Sequence, residues 1–96
     1  MTGISAVIIT RNEARNIGRC IASLQDVVDE VVVVDAESTD DTPRIAADLR
    51  ARVITRAWTD YADQKNFANA HAVSPYILSM DADEALSPEL TTSLLA

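Results

Sequence analysis

The sequence predicts an α/β fold in which a parallel sheet carries helices on both faces, built as four strand–helix units in succession. Three observations carry that expectation. Two short β-branched runs, Ile4 to Thr10 and Glu30 to Asp35, lack a helical period, and the second holds Val31 to Val34 in a row. Continuous runs of this kind suit strands buried on both faces of a parallel sheet. Segments with helical apolar spacing lie between the strands, and polar clusters follow strand candidates directly. Such alternation implies right-handed crossovers, with ligands beyond the carboxyl ends of the strands near a switch in strand order.

After the first strand, Ile17, Cys20, Ile21 and Leu24 fall at i, i+3, i+4 and i+7, which is one apolar stripe. Cys20 therefore reads as a core residue rather than a nucleophile. The segment Asp41 to Leu49 opens with acids and Pro43, both favoured in a first turn, and buries Ile45, Ala46 and Leu49. Ser38, Thr39 or Asp40 is its expected cap. Arg52 to Thr55 is a third, weaker strand. Tyr61 to Ala72 is a third helix, with Phe67 and Ala70 in its core face, and Tyr76 to Met80 is the fourth strand. Ser87 and Pro88 read as the N-cap and first position of a fourth helix running to Leu95. Trp58 and Tyr61 either pack over a sugar or base or, the expected role, cover the core edge. His71, the only histidine, is expected at a helix surface or partly buried.

Composition narrows the function. A chain of 96 residues suits one domain, and 48% hydrophobic residues suffice for a core, though a marginal one. The net charge of −7 repels phosphate backbones, so no nucleic-acid partner is expected. It still allows a nucleotide, because a divalent cation can bridge carboxylates to phosphates. Cys20 is the only cysteine, no apolar run reaches membrane-spanning length, and Met1 to Ser5 lacks a signal-peptide pattern. A cytoplasmic protein is the simplest expectation, with attachment to the inner membrane face through a further segment left open. Gly3 and Gly18 are the only glycines, so glycine-rich dinucleotide and P-loop signatures are missing, as is a hydrolase elbow.

The sharpest motif is Asp81-Ala82-Asp83, two carboxylates just past a strand. Two hard oxygen donors, completed by phosphate oxygens and water, suit Mg²⁺ or Mn²⁺. An acidic turn is the plain alternative; the position after the last strand, opposite a second acidic loop, favours the metal–nucleotide site. Asp35 ends the valine strand, where it can start a turn and also accept hydrogen bonds from a base or ribose. Asp40 and Asp41 read as helix-start residues. Lys65, the only lysine, is either a solvated helix position or a cation near a pyrophosphate or base; Arg11 has the same two readings.

At this point the residues are similar to a known family. Ala6-Val7-Ile8-Ile9-Thr10-Arg11-Asn12-Glu13, Val32-Val33-Val34-Asp35 with Ser38-Thr39-Asp40-Asp41-Thr42, Gln64-Lys65-Asn66, and Leu78-Ser79-Met80-Asp81-Ala82-Asp83-Glu84 resemble the ordered motifs of family 2 glycosyltransferases. The wording is closest to bacterial transferases of the lipopolysaccharide core that add glucose to heptose. The resemblance implies a GT-A fold, with residues 1–96 as its nucleotide-sugar-binding part; a strand order of 3-2-1-4 is expected, which would set Thr10 and Asp81 at one crevice. It implies a nucleoside-diphosphate sugar donor, a UDP-sugar first, and a saccharide or glycolipid acceptor. Thr10 and Asp35 would line the nucleoside pocket, and Lys65 would lie near the base or pyrophosphate. Asp81 would contact ribose or metal, and Asp83 would ligate the metal, Mg²⁺ or Mn²⁺. The sequence departs from the family pattern at Ala36 and Glu37, where a polar residue and often glycine stand. No catalytic base is assigned: in the family it lies beyond the Asp-X-Asp strand, Glu84 reads as a loop-shaping residue and Glu89 as a helix-start residue. The chain alone is therefore expected to bind donor weakly, to associate through an exposed apolar edge, and not to transfer sugar. Two other functions compete. A sugar nucleotidyltransferase would want a glycine-rich basic loop where Thr10-Arg11-Asn12-Glu13 stands. A receiver-like Mg²⁺-binding regulatory domain would want an acid after the third strand, where Arg52 to Arg56 stands.

Overall fold

The computed structural model describes residues 2–87. The order is β1 (Ile4–Thr10), α1 (Ile17–Ala22), β2 (Glu30–Asp35), α2 (Thr42–Asp48), β3 (Arg52–Thr55), α3 (Tyr61–Ala70) and β4 (Tyr76–Asp81). All four strands are parallel in the order β3-β2-β1-β4, as expected, so every carboxyl end lies on one edge. The fourth helix expected from Ser87 to Leu95 lies outside the described residues.

The pleat sorts side chains between two layers. Ala6, Ile8, Val31, Val33 and Met80 face α1 and α2, packing with Ile17, Cys20, Ile21, Leu24 and Ala46. Val7, Val32 and Val34 face the other way, onto Ala68 of α3, with Ile9, Ile54, Phe67 and Ala72 around them. Ile8, Ile17, Ile21 and Leu24 are fully buried. Each such side chain contributes about 1.5–3 kcal/mol relative to exposure. Leu24 keeps its place in the stripe although α1 ends at Ala22 and a turn carries the chain on.

The buried stripe of α3 differs from the expected one. Ala70 is exposed, whereas Gln64 and Ala68 are the buried residues of this helix. Four residues apart, they share a helix face that Ala70 does not. Trp58 and Tyr61 also depart from expectation: they are 44% and 55% exposed and do not cover the core edge. His71 is partly buried, its Nδ1 2.9 Å from the carbonyl oxygen of Phe67 and its ring beside that of Phe67.

At the amino-terminal edge, two acids brace the sheet. Asp29 accepts from the backbone N–H groups of Thr2 and Gly3 at 2.9 and 3.0 Å. Glu30 accepts from the Ser5 hydroxyl at 2.6 Å and from the Val73 N–H at 2.8 Å, fixing the turn that leads into β4. No helix among the described residues is long and apolar enough to cross a membrane.

Candidate functional site at the carboxyl edge of the sheet

Thr10 pairs with Asp35 in the β1–β2 register, and Ile9 pairs with Asp81 in the β1–β4 register. The three polar positions thus sit side by side on one edge, with β1 between its partners. Here the chain moves from β1 to β2 on one side and reaches β4 on the other, which is the switch in strand order where open α/β sheets bind ligands.

The pleat divides these residues into two groups. Thr10 and Asp35 belong to the side of α1 and α2, and both are buried, at 4% and 1% exposure. The Thr10 hydroxyl donates to Asp35 Oδ1 at 2.7 Å, the Ser38 hydroxyl donates to the same oxygen at 2.6 Å, and the Ser38 N–H donates to Oδ2 at 2.8 Å. A buried carboxylate needs such donors to offset its lost hydration. The network continues outward. The Asn12 N–H donates to Ser38 Oγ at 2.8 Å, and Asn12 Oδ1 accepts from the Thr39 N–H at 2.8 Å. Glu13 N–H donates to Thr42 Oγ1, and Ala14 N–H to Asp40 Oδ2. Asp40 also takes the Thr42 N–H at 3.0 Å, so it serves the first turn of α2 although Asp41 occupies the N-cap position. The β1–α1 and β2–α2 loops are therefore stitched together. Asn12 and Glu37 adopt left-handed φ of +54° and +55°.

The second group lies on the α3 side. Asp81 ends β4 with its carboxylate exposed, and the Tyr61 hydroxyl is 3.5 Å from Asp81 Oδ1. Ala82 turns inward and packs in the core at 4% exposure, leaving the neighbouring Asp81 and Asp83 exposed. Glu84 closes the turn: its carboxylate accepts from the Asp81 N–H at 2.8 Å, and its own N–H donates to the Asp81 carbonyl at 3.0 Å. Arg19 donates to the Asp83 carbonyl at 3.0 Å, fixing the loop to α1. Lys65 Nζ donates to Ser79 Oγ and to the Met80 carbonyl, the latter at 3.3 Å, and lies 5.8 Å from the centre of the Tyr61 ring. The structure thus joins Thr10 to Asp35 on the face of α1 and α2, and gathers Lys65, Tyr61 and Asp81 on the face of α3, with the Asp83 loop held to α1 by Arg19. Arg11 is exposed beside them.

Charge at the turn follows from this packing. Burial pushes the Cys20 thiol up to about 11, Glu84, Asp83 and Asp81 push the same way and Arg19 opposes them; the side chain is fully buried in the core, as expected of a packing residue. Burial lowers the Lys65 ammonium below its ordinary value, while Asp81 and Glu84 pull it back up. Desolvation and the Asp81 carboxylate raise the Tyr61 hydroxyl. Hollows of about 560 and 640 Å³ open elsewhere, lined by Gln25, Asp29 and Glu30 among others, and by Thr2, Gly3, Val73 and Pro75 among others. Their acids Asp29 and Glu30 are occupied in bracing, so size alone does not outweigh the acid pair at the switch point. Gln64 and Ser79 stand within the resembled motifs but had no expected role of their own, nor had the hydroxyl of Tyr61; a polar residue inside an apolar helix register was the signal for Gln64.

The family model described as Glycosyl transferase family 2 matches residues 5–96. The chain belongs to glycosyl transferase family 2. A Rickettsia felis protein named an uncharacterized glycosyltransferase is 56% identical to this family 2 chain over 90 residues, 94% of the chain and 32% of that protein. The lipopolysaccharide core biosynthesis glycosyltransferase LpsC of Rhizobium meliloti is 39% identical over 101 residues, covering 97% of the chain and 37% of LpsC. The family 2 chain thus spans about a third of the length of these relatives. Among solved structures, mannosyl-3-phosphoglycerate synthase from Rubrobacter xylanophilus matches with a TM-score of 0.79 at 27% identity, over 90% of this chain and 32% of that one. Glucosyl-3-phosphoglycerate synthase from Mycobacterium tuberculosis, in complex with Mn²⁺, UDP and glucosyl-3-phosphoglycerate, matches with a TM-score of 0.75 at 25% identity, over 85% of this chain and 35% of that one. The sheet order and alternating helices are those of the expected GT-A half.

Proposed function

We propose that residues 1–96 form the nucleotide-sugar-binding part of an inverting glycosyltransferase. The donor is a nucleoside-diphosphate sugar, a UDP-sugar first, and the acceptor is a saccharide or glycolipid of the lipopolysaccharide-core kind, met in the cytoplasm or at the inner membrane face. The observation that carries this reading is the exposed acid pair: Asp81, beside β1 at the switch point and next to the Met80 carbonyl that Lys65 bonds, and Asp83 two residues on. Complexes of the mycobacterial neighbour with UDP and Mn²⁺ or Mg²⁺ support the donor class, and LpsC supports the acceptor class.

The donor set fits Mg²⁺ or Mn²⁺ in one mode only. Among the described residues, no group of three or more acids, histidines or cysteines could hold an ion alone. Asp81 and Asp83 supply only two carboxylate groups, so an ion held there would need diphosphate and water to complete its shell, as is common for Mg²⁺. An ion held by Asp81 and Asp83 would supply positive charge against the diphosphate as it departs. The chain's own residues do the rest. Lys65 offers the diphosphate a cation, Glu84 holds the Asp81 turn in shape, and the Thr10–Asp35 pair forms the floor on which the nucleoside rests. Glu84 is committed to the Asp81 N–H and is not assigned as the base that deprotonates the acceptor hydroxyl.

Calorimetric titration of UDP-glucose and of ATP, each with and without Mn²⁺, tests the reading. UDP-glucose is expected to bind with Mn²⁺ only, and ATP to bind far more weakly under either condition. Equal binding of both nucleotides, or none of UDP-glucose with Mn²⁺, contradicts it.

A further inference from the structure

The amino-terminal half of α3 carries Tyr61 and Lys65 to β4, yet very little apolar packing holds it there. Tyr61, Ala62 and Asn66 are exposed, and the apolar contacts of α3 with the sheet begin at Phe67 and Ala68. Gln64 is the only buried residue from Tyr61 to Asn66, at 0% exposure. Its amide is committed on both sides to one residue. Nε2 donates to the Arg56 carbonyl at 3.2 Å, and Oε1 accepts from Arg56 Nη1 at 2.8 Å. Arg56 is fixed in turn: its N–H donates to the Asp35 carbonyl at 2.9 Å, its guanidinium pairs with Asp63 at 3.0 Å and lies 4.5 Å over the Phe67 ring. The latch thus ties the start of α3 to the carboxyl ends of β2 and β3. Asp60 caps the same turn by accepting the Asp63 N–H at 2.8 Å.

We infer that Gln64 is a positioning residue for the donor diphosphate, acting through Lys65, its neighbour on the same turn of α3. The inference rests on the donor reading above. A fully buried amide that satisfies itself on a single arginine fixes the depth and rotation of the helix start, as an apolar residue there would not, because hydrogen bonds are directional. The rotation decides whether the Lys65 ammonium reaches the β4 end beside Asp81 or swings into solvent.

Binding of UDP and of UMP, both with Mn²⁺, separates this role from general support of the fold, since the two ligands share the nucleoside and differ in the second phosphate. Gln64→Met keeps volume and helix preference while removing the latch. It is expected to lower the UDP-to-UMP affinity ratio by about tenfold, the size of a lost charge-assisted contact. Lys65→Met is expected to do the same, and the double variant to do no more than Lys65→Met alone. Arg56→Met removes the other side of the latch at a partly exposed position and is read in the same way should Gln64→Met not fold. Equal losses for both ligands, an unchanged ratio, or additive effects in the double variant overturn the inference and leave the donor reading standing. Failure of the wild-type protein to bind UDP with Mn²⁺ overturns that reading and this inference with it.

Discussion

Glu37 holds a left-handed φ of +55° between Asp35 and Ser38, with its side chain exposed. A residue with a Cβ is strained there, by about 1–2 kcal/mol, while glycine is not, although glycine returns part of that gain as unfolded-state entropy. Glu37→Gly is therefore expected to raise stability by up to about 1 kcal/mol, or roughly 4–8 °C in thermal midpoint. A fall in midpoint contradicts the strain. Two residues earlier, Asp35 is buried with three donors from two partners. Thr10→Val keeps shape and removes one donor, leaving the carboxylate under-satisfied at a cost of about 1–3 kcal/mol. Chemical denaturation of this variant checks the value, and a neutral effect would show that Asp35 does not depend on Thr10.

The strands were legible because their signal is local: four consecutive valines and a β-branched run cannot be mistaken for an amphipathic helix. The expected strand order, with β1 and β4 neighbours at the switch point, is observed as β3-β2-β1-β4. The register of α3 was not legible. A search for apolar spacing passes over Gln64 and slides onto Ala70, whereas the buried register is Gln64–Ala68, because Arg56 supplies the hydrogen bonds that make a buried amide tolerable. The acid pair was legible as a motif, with its inward-turned Ala82 visible only in the structure. The burial of Thr10 and Asp35 was hidden for a different reason. A polar residue at a strand end reads as solvent-facing, and the bond that buries this pair spans 25 positions of sequence. In α1, Gly18 lies so that an added Cβ would meet Ile45 at an ordinary 3.6 Å. Gly18→Ala is thus expected to gain about 0.5–1 kcal/mol from helix preference, and a loss on thermal unfolding would show that α1 and α2 are packed more closely than that.

The whole molecule is braced by carboxylates at both edges, and this sets its acid sensitivity. The Thr2 N–H holds Asp29 below its ordinary value, the Thr42 hydroxyl does so for Asp40, and the Thr59 hydroxyl and then Arg56 for Asp63. Partial burial pulls Glu30 upward, yet Ser5, Val73 and Arg52 together keep it below its ordinary value. Carboxyls depressed in the folded state contribute stability above their unfolded pKa and lose it as pH falls through the folded pKa. The urea midpoint is therefore expected to hold between about pH 7 and pH 5 and to fall below about pH 4. A midpoint unchanged at pH 3 would show that these bonds do not couple to folding. On the outer side of the sheet, β4 leaves Tyr76 69% and Ile77 45% exposed. Sedimentation is expected to show concentration-dependent association that Ile77→Lys reduces; an unchanged profile would place the contact elsewhere. The central claim, that Asp81 and Asp83 meet a metal–nucleotide, is tested most directly by calorimetry of UDP-glucose with wild-type protein and Asp83→Ala, each with and without Mn²⁺. Metal-dependent binding by wild type and no metal dependence in the variant are expected; equal binding by the two proteins in Mn²⁺ would show that the acid pair does not meet the metal–nucleotide.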